Sequence, residues 1–223
     1  MIQPLLIILC LILGFITYKR KALDLTGSIF MSLMGIFIFI TSGFNWLILI
    51  LLFLILGVGF TQFKKDYKRS IGIVHEQRTV KNVISNGIVP ILMAVFGNYG
   101  GFIGSVSSAT ADTLASEIGV LSKPRLITNN SPVKEGSDGG ISILGTSAAL
   151  AGTIIIGISS YFLGIAPNII NGLLIAIISG MAGCFLDSLL GATLEQKGIL
   201  NNEHVNLAST ILGATIGFIL TGV

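Results

Sequence analysis

DLTGSIFMSLMGIFIFITSGFNWLILILLFLILGVGFTQ, residues 24–62, decides the fold class. After Asp24 it carries no charged side chain, and only the Thr41–Asn45 connection separates two runs of Leu, Ile and Phe. Each run approaches the ~20 apolar residues that a helix needs to cross a bilayer. The whole chain follows suit: of 223 residues, 52% are hydrophobic and 10% charged, and mean hydropathy is +0.92. A soluble domain carries roughly 25% charged residues, so most of this chain must face lipid or other helices. The expectation is an all-α polytopic transmembrane bundle of about eight spans, at 2–18, 24–41, 44–62, 82–98, 101–121, 140–164, 168–191 and 204–222. Residues 1–223 form a single membrane domain on this reading, with 1–62 as an apolar scaffold.

The charges fix an orientation. Lys19 to Lys21 follow the first span, and Lys64, Lys65, Lys68, Arg69, Arg78 and Lys81 follow the third. Lys123, Arg125 and Lys134 follow the fifth, and Lys197 follows the seventh. With eight spans all 13 Lys and Arg fall on one side, and the alternate connections are uncharged. Basic loops stay in the cytoplasm, so the polar loops are expected there, in a cell membrane, with both termini outside. Lys19 to Lys21 lie after the first apolar run, whereas a signal peptide carries its basic residues before it. Cys10 and Cys184 sit in apolar runs and read as packing residues; His75 and His204 lack metal-ligand spacing.

From about Asn82 the spans fill with Gly, Ala, Ser, Thr and Asn. Small residues let membrane helices approach closely. A charge inside the membrane is costly and usually faces a cavity, and three stand out: Asp112 and Glu117 in the fifth span, and Asp187 in the seventh. Ser108, Asp112, Ser116 and Gly119 share one helical face, and Glu117 is turned about 140° from Asp112. The two could bracket one ligand, or one could bind a neighbouring helix. Gly183, Asp187 and Gly191 share a face of the seventh span, and Arg78, Asn82 and Asn86 form a row opening the fourth. Asn82 and Asn86 read as too deep for capping.

The loop KPRLITNNSPVKEGSDGG, residues 123–140, leads into the sixth span. Its Gly139 and Gly140 would stand at a helix start, where free N–H groups and the dipole favour phosphate. No P-loop or Rossmann fingerprint is present. Arg78, Asn82, Glu117, Arg125, Lys134, Asp138, Asp187 and Asn206 converge near the expected cytoplasmic face from five segments. Carboxylates beside basic residues suit Mg²⁺ and phosphate, because Mg²⁺ takes carboxylate, water and phosphate oxygens.

ATADTLASEIGVLSKPRLIT, GSDGGISILGTSAALAG, GCFLDSLLGATLEQ and EHVNLAST, in that order, resemble the phytyl-phosphate kinase family of integral membrane proteins, over about residues 75–215. The resemblance implies a family core within 75–223 and a kinase that converts a phytyl or similar prenyl monophosphate to the diphosphate. The donor it implies is a nucleoside triphosphate, with CTP favoured; the cofactor expected from the carboxylates and basic residues is Mg²⁺. By motif, Asp112, Ser116 and Glu117 fall in one block, and Ser137, Asp138, Gly139 and Gly140 in the glycine block. Asp187, Ser188, Gly191 and Asn206 fall in the last two. On this reading Asp112, Glu117 and Asp187 hold Mg²⁺ and are catalytic. Arg78, Lys123, Arg125 and Lys134 neutralise phosphates, and Asn82 and Asn206 hydrogen-bond them. Asp138 stands where the family more often has Asn. The rivals are a cytidylyltransferase making a CDP-activated lipid, and a transporter using Asp112 and Asp187 as ion sites.

Overall fold

The computed structural model describes residues 2–72 and 77–222, so His75 lies outside the described residues. Eight helices of 16 to 22 residues occupy the segments expected as spans. They are α1 (Ile2–Lys19), α2 (Leu25–Ser42), α3 (Phe44–Gln62), α5 (Val80–Val95), α6 (Tyr99–Gly119), α7 (Ile143–Phe162), α8 (Ile169–Leu190) and α9 (Asn202–Thr221). Five of them (α2, α3, α7, α8 with its extension, and α9) are long and apolar enough to cross a membrane. Two shorter elements were not expected. Helix α4 (Lys65–Ser70) lies in the basic connection, and a π-helical turn (Gly191–Glu195) extends α8.

Local chemistry explains the ends. The carboxylate of Asp24 caps α2 by accepting from Gly27 N at 2.6 Å. Asn98, Ser142, Asn168 and Asn201 cap α6, α7, α8 and α9 in the same way. Each side-chain oxygen takes one of the N–H groups that a helix start leaves unpaired. Gly43, at φ +95°, turns the chain between α2 and α3, a conformation that other residues adopt only with strain.

Helix α6 is the centre of the bundle, packed by α5, α7, α8, α9 and α3. It is buried without a break from Gly100 to Ala111, although it carries Ser105, Ser107, Ser108 and Thr110. Those hydroxyls bond to carbonyls of its own or neighbouring helices: Ser107 Oγ donates to Ala176 O at 2.7 Å and Ser108 Oγ to Ser209 O at 2.9 Å. Glycines set the close approach of α6 and α9. A Cβ at Gly104 would collide with Gly213 O, and one at Gly100 with Gly217 O. Lipid gives no hydrophobic drive for association, so such backbone contact and interhelical hydrogen bonds carry it. The N-terminal helices pack differently, through the apolar cluster of Cys10, Ile38, Leu47 and Ile91.

The 123–140 loop is pinned rather than free. Its ends pair as two short antiparallel strands, β1 (Arg125–Leu126) and β2 (Gly140–Ile141). Gly139, at φ +74°, lies against the π-turn so closely that a Cβ there would meet Ala192. Gln196 Nε2 completes the clamp by donating to Asp138 O at 2.8 Å.

Candidate functional site

A cavity of about 250 Å³ opens between the starts of α5, α7 and α9, the ends of α6 and α8, and the pinned loop. Asp112 and Ser116 enter it from α6, and Asp187 and Ser188 from α8. Ser137, Asp138, Gly139 and Gly140 come from the loop, Gly191 from the π-turn, Arg78, Asn82 and Asn86 from α5 and its approach, and Asn206 from α9. The structure therefore brings twelve of the sixteen candidate residues named from the sequence to one wall-to-wall cavity. Asp112 and Asp187 face one another within hydrogen-bonding reach, and Ser209 Oγ lies 3.4 Å from Asp187 Oδ2. Below them the cavity is closed. The Ser108 hydroxyl fills the space that a Cβ at Gly183 would need, and Ser108 is tied to Ser209 O.

Four candidates lie elsewhere. Glu117 is the main departure from the expected site. It is on the other face of α6, buried to 4% exposure, with its Oε2 2.6 Å from the Nζ of Lys68 on α4. Lys68 is fully buried and also donates to Phe60 O at 2.9 Å. The physical reason is desolvation: a buried carboxylate needs a counter-charge, and the short helix α4 delivers one from the basic connection. The sequence contains no Lys or Arg inside a span, but Lys68 reaches in from outside. Lys123, Arg125 and Lys134 are exposed on the loop and do not line the cavity; Arg125 donates to Asn130 O at 2.8 Å instead.

Arg78 connects the two faces. Its Nη2 donates to the Thr61 hydroxyl at 3.2 Å and lies 3.6 Å from Glu117 Oε1, while Thr61 Oγ1 is 2.6 Å from that same oxygen. This tether holds Arg78 at the cavity wall, where it is the one Lys or Arg among the described lining residues. Asn82 does cap, contrary to its expected depth: its Oδ1 accepts from Thr79 N at 2.9 Å, and it still lines the cavity. The amide of Asn86 donates to Asn82 O at 3.1 Å.

The glycine block behaves otherwise than expected. Helix α7 begins at Ile143 behind its Ser142 cap, not at Gly140. Gly140 N–H is taken by Ser137 O at 3.0 Å. Gly139 and Gly140 line the cavity from the loop, and Ser142 and Thr146 line it from the helix start. Glu195 also lines it, and sequence reasoning missed it. The signal was there: Asp187, Gly191 and Glu195 are spaced by four, one stripe of a continued helix. A π-turn widens that helix at the site, as such turns often do at functional positions.

Four carboxylates (Asp112, Asp138, Asp187 and Glu195) thus share the cavity with one guanidinium. Burial pushes the Asp138 carboxyl up. No group of three metal-ligating side chains stands close enough, among the described residues, to hold an ion unaided. The facing pair Asp112 and Asp187 fits a divalent cation whose remaining ligands are water and phosphate oxygens, the way Mg²⁺ is usually held.

The family model for the integral membrane protein family DUF92 matches residues 8–214. The chain belongs to this family. It is a multi-pass integral membrane protein, and the membership expected from the four sequence blocks is borne out. It is 42% identical to an uncharacterized membrane protein of Methanocaldococcus jannaschii over 96% of this chain and 92% of that one. It is 31% identical to Protein PGR of Arabidopsis thaliana, over 86% of this chain and 78% of the relative. Protein VTE6, chloroplastic, of the same plant is 25% identical over 78% of this chain and 57% of its own length. No solved structure matches significantly.

Proposed function

We propose that this family member is a lipid-phosphate kinase that transfers a phosphoryl group from a nucleoside triphosphate, CTP by preference, to a prenyl or phytyl-type monophosphate. The observation that carries the reading is the facing pair Asp112 and Asp187 in a polar cavity walled by Arg78 and four asparagines. The resemblance of the sequence blocks to phytyl-phosphate kinase supplies the substrate class. The cavity opens on the cytoplasmic side in this reading, because every basic residue of the chain falls in the connections of that side.

Phosphoryl transfer needs chiefly positioning and charge neutralisation. An oxygen of the acceptor monophosphate attacks the γ-phosphorus, and the bond from that phosphorus to the β–γ bridging oxygen breaks. The nucleoside diphosphate leaves with that electron pair, and the lipid diphosphate remains. The acceptor is already anionic, so no general base is required. Arg78, tethered by Thr61 and Glu117, is placed to balance the acceptor phosphate. Asn82, Asn86 and Asn206 offer amide donors, and Ser116, Ser137, Ser142 and Ser188 offer hydroxyls. A Mg²⁺ bound at Asp112 and Asp187 would supply the positive charge that this acidic cavity otherwise lacks for a polyphosphate. Asp138 and Glu195 line the same cavity and add to the negative charge that such an ion would balance. Glu117 acts through Arg78 as a positioning residue. Lys123, Arg125 and Lys134 act only at longer range, at the rim.

Against the transporter, no charged side chain lies in α6 between Tyr99 and Ala111 or in α8 between Ile169 and Leu186, so no charged site continues the path past Asp112 and Asp187. The test is product analysis with purified protein in bilayers, Mg²⁺, each nucleoside triphosphate and geranylgeranyl or phytyl monophosphate. The expected products are the lipid diphosphate and a nucleoside diphosphate. Release of pyrophosphate with a CDP-lipid would make it a cytidylyltransferase, and no product from any pair would overturn the kinase.

A further inference from the structure

A second, apolar cavity lies between α2, α3 and α5, with a volume of about 90 Å³. Its walls are residues such as Met31, Met34, Leu51, Leu54 and Val83. Its polar edge consists of Arg78, Asn82 and Asn86, the same three side chains that line the polar cavity. The two cavities therefore meet at one collar. On α5 the arrangement is periodic: Asn82 and Asn86 mark a polar row, and Val83, Gly87 and Ile91 the apolar row beside it. At the far end Ile38 and Leu47 are fully buried and pack with Cys10 and Ile91, which closes the groove. From Val58 to Leu47 along α3 the groove runs for about 16 Å at helical rise.

Gly87 leaves room for Met34 on the groove wall: a Cβ there would stand 2.8 Å from Met34 Cε. Methionine walls are adaptable, so the shape tolerates branched chains. A groove buried among membrane helices gains little from the hydrophobic effect, since lipid is as apolar as its walls. It selects by shape and by where it places the charged end of its occupant.

We infer that this groove seats the single apolar chain of the acceptor, with its phosphate drawn through the collar toward Arg78. The occupant is a one-chain amphiphile with a terminal phosphate. Charge complementarity places the anionic head at Arg78, the one Lys or Arg among the described residues of the groove wall. The walls enclose about 90 Å³, less than the ~150 Å³ that takes one benzene, so a longer chain enters by parting the adaptable methionine walls, which one chain does at less cost than two. This rests on the lipid-phosphate reading above and adds how chain length is measured.

The experiment is direct binding, without nucleotide, of isopentenyl, geranyl, farnesyl and geranylgeranyl monophosphates and a diacyl phosphatidate to the full chain in nanodiscs. Gly87→Leu and Met34→Trp fill the groove from opposite walls, and thermal unfolding checks that each variant remains folded. In the wild type, affinity should rise with chain length, and phosphatidate should bind least. Each folded filled variant should lose about tenfold or more for geranylgeranyl phosphate and leave isopentenyl phosphate unchanged. Equal losses at every length, no loss in a folded variant, or preference for phosphatidate would overturn the groove. Length-dependent binding without turnover would uphold the groove while the kinase reading fails. Turnover whose chain preference ignores both variants would do the reverse.

Discussion

Asp112 and Glu117 stand five residues apart on one helix and meet opposite fates. Asp112 looks into a polar cavity and faces a second carboxylate, Asp187. Glu117 looks toward α3 and α4 and is neutralised by a fully buried lysine. An acid in a membrane bundle can serve the fold or the site, and its neighbours decide which. A carboxylate that finds a cation locks helices together. Two buried carboxylates that face one another cannot both stay ionised unless a cation joins them, which suits a divalent ion and its phosphates.

The largest effect should appear on the Asp112 face. Asp187→Asn keeps the shape and removes the charge, and diphosphate formation should fall about 10²–10³-fold with a nearly unchanged unfolding midpoint. On the Glu117 face stability should move first. Lys68→Met removes the nearest cation from a buried carboxylate, leaving it Thr61 and the more distant Arg78, and should cost about 3 kcal/mol in reversible detergent unfolding. The double variant Lys68→Met/Glu117→Leu should recover much of that loss. If it does not, the pair is more than a lock.

A smaller effect should follow from crowding the α6–α9 contact. Gly104→Val drives a side chain into Gly213 and should cost about 1–3 kcal/mol in the same measurement. Asp138→Asn should do least. Burial raises the native carboxyl of Asp138, so the stability it contributes is complete below the ordinary carboxylate range and is lost as pH rises through the native value. The variant should therefore gain slightly on its parent near neutral pH, and the gain should vanish on acidification; stability curves across pH check the sign.

The positions of the eight long helices were legible because apolar runs of membrane length have few alternatives, and the N-cap residues bound them closely. The stripe Ser108, Asp112, Ser116 was legible from helical period alone, and so was the divergence of Glu117. What period could not provide was the partner. Lys68 sits in a connection that reads as a solvated loop, and its reach inward to Phe60 O and Glu117 is what buries it. The glycine block misled for a related reason. Gly139 and Gly140 suggested a bare helix start, whereas Gly139 is small in order to pass the π-turn at Ala192. Glu195 was hidden by the assumption that α8 ends near residue 191, although the four-residue spacing from Asp187 continued through it.

The most direct test sets the two acids of α6 side by side. Diphosphate formation is measured for Asp112→Asn and Glu117→Gln in bilayers, normalised to folded protein, with Mg²⁺, CTP and a prenyl monophosphate at varied concentration. The account predicts a kcat lower by about 10²–10³-fold for Asp112→Asn. Glu117→Gln, which loosens Arg78 and also removes the counter-charge of the buried Lys68, should destabilise the protein, and in the folded fraction should raise KM for the prenyl phosphate and leave kcat within about tenfold. Wild-type turnover by Asp112→Asn, or a kcat lost only in Glu117→Gln, would contradict it.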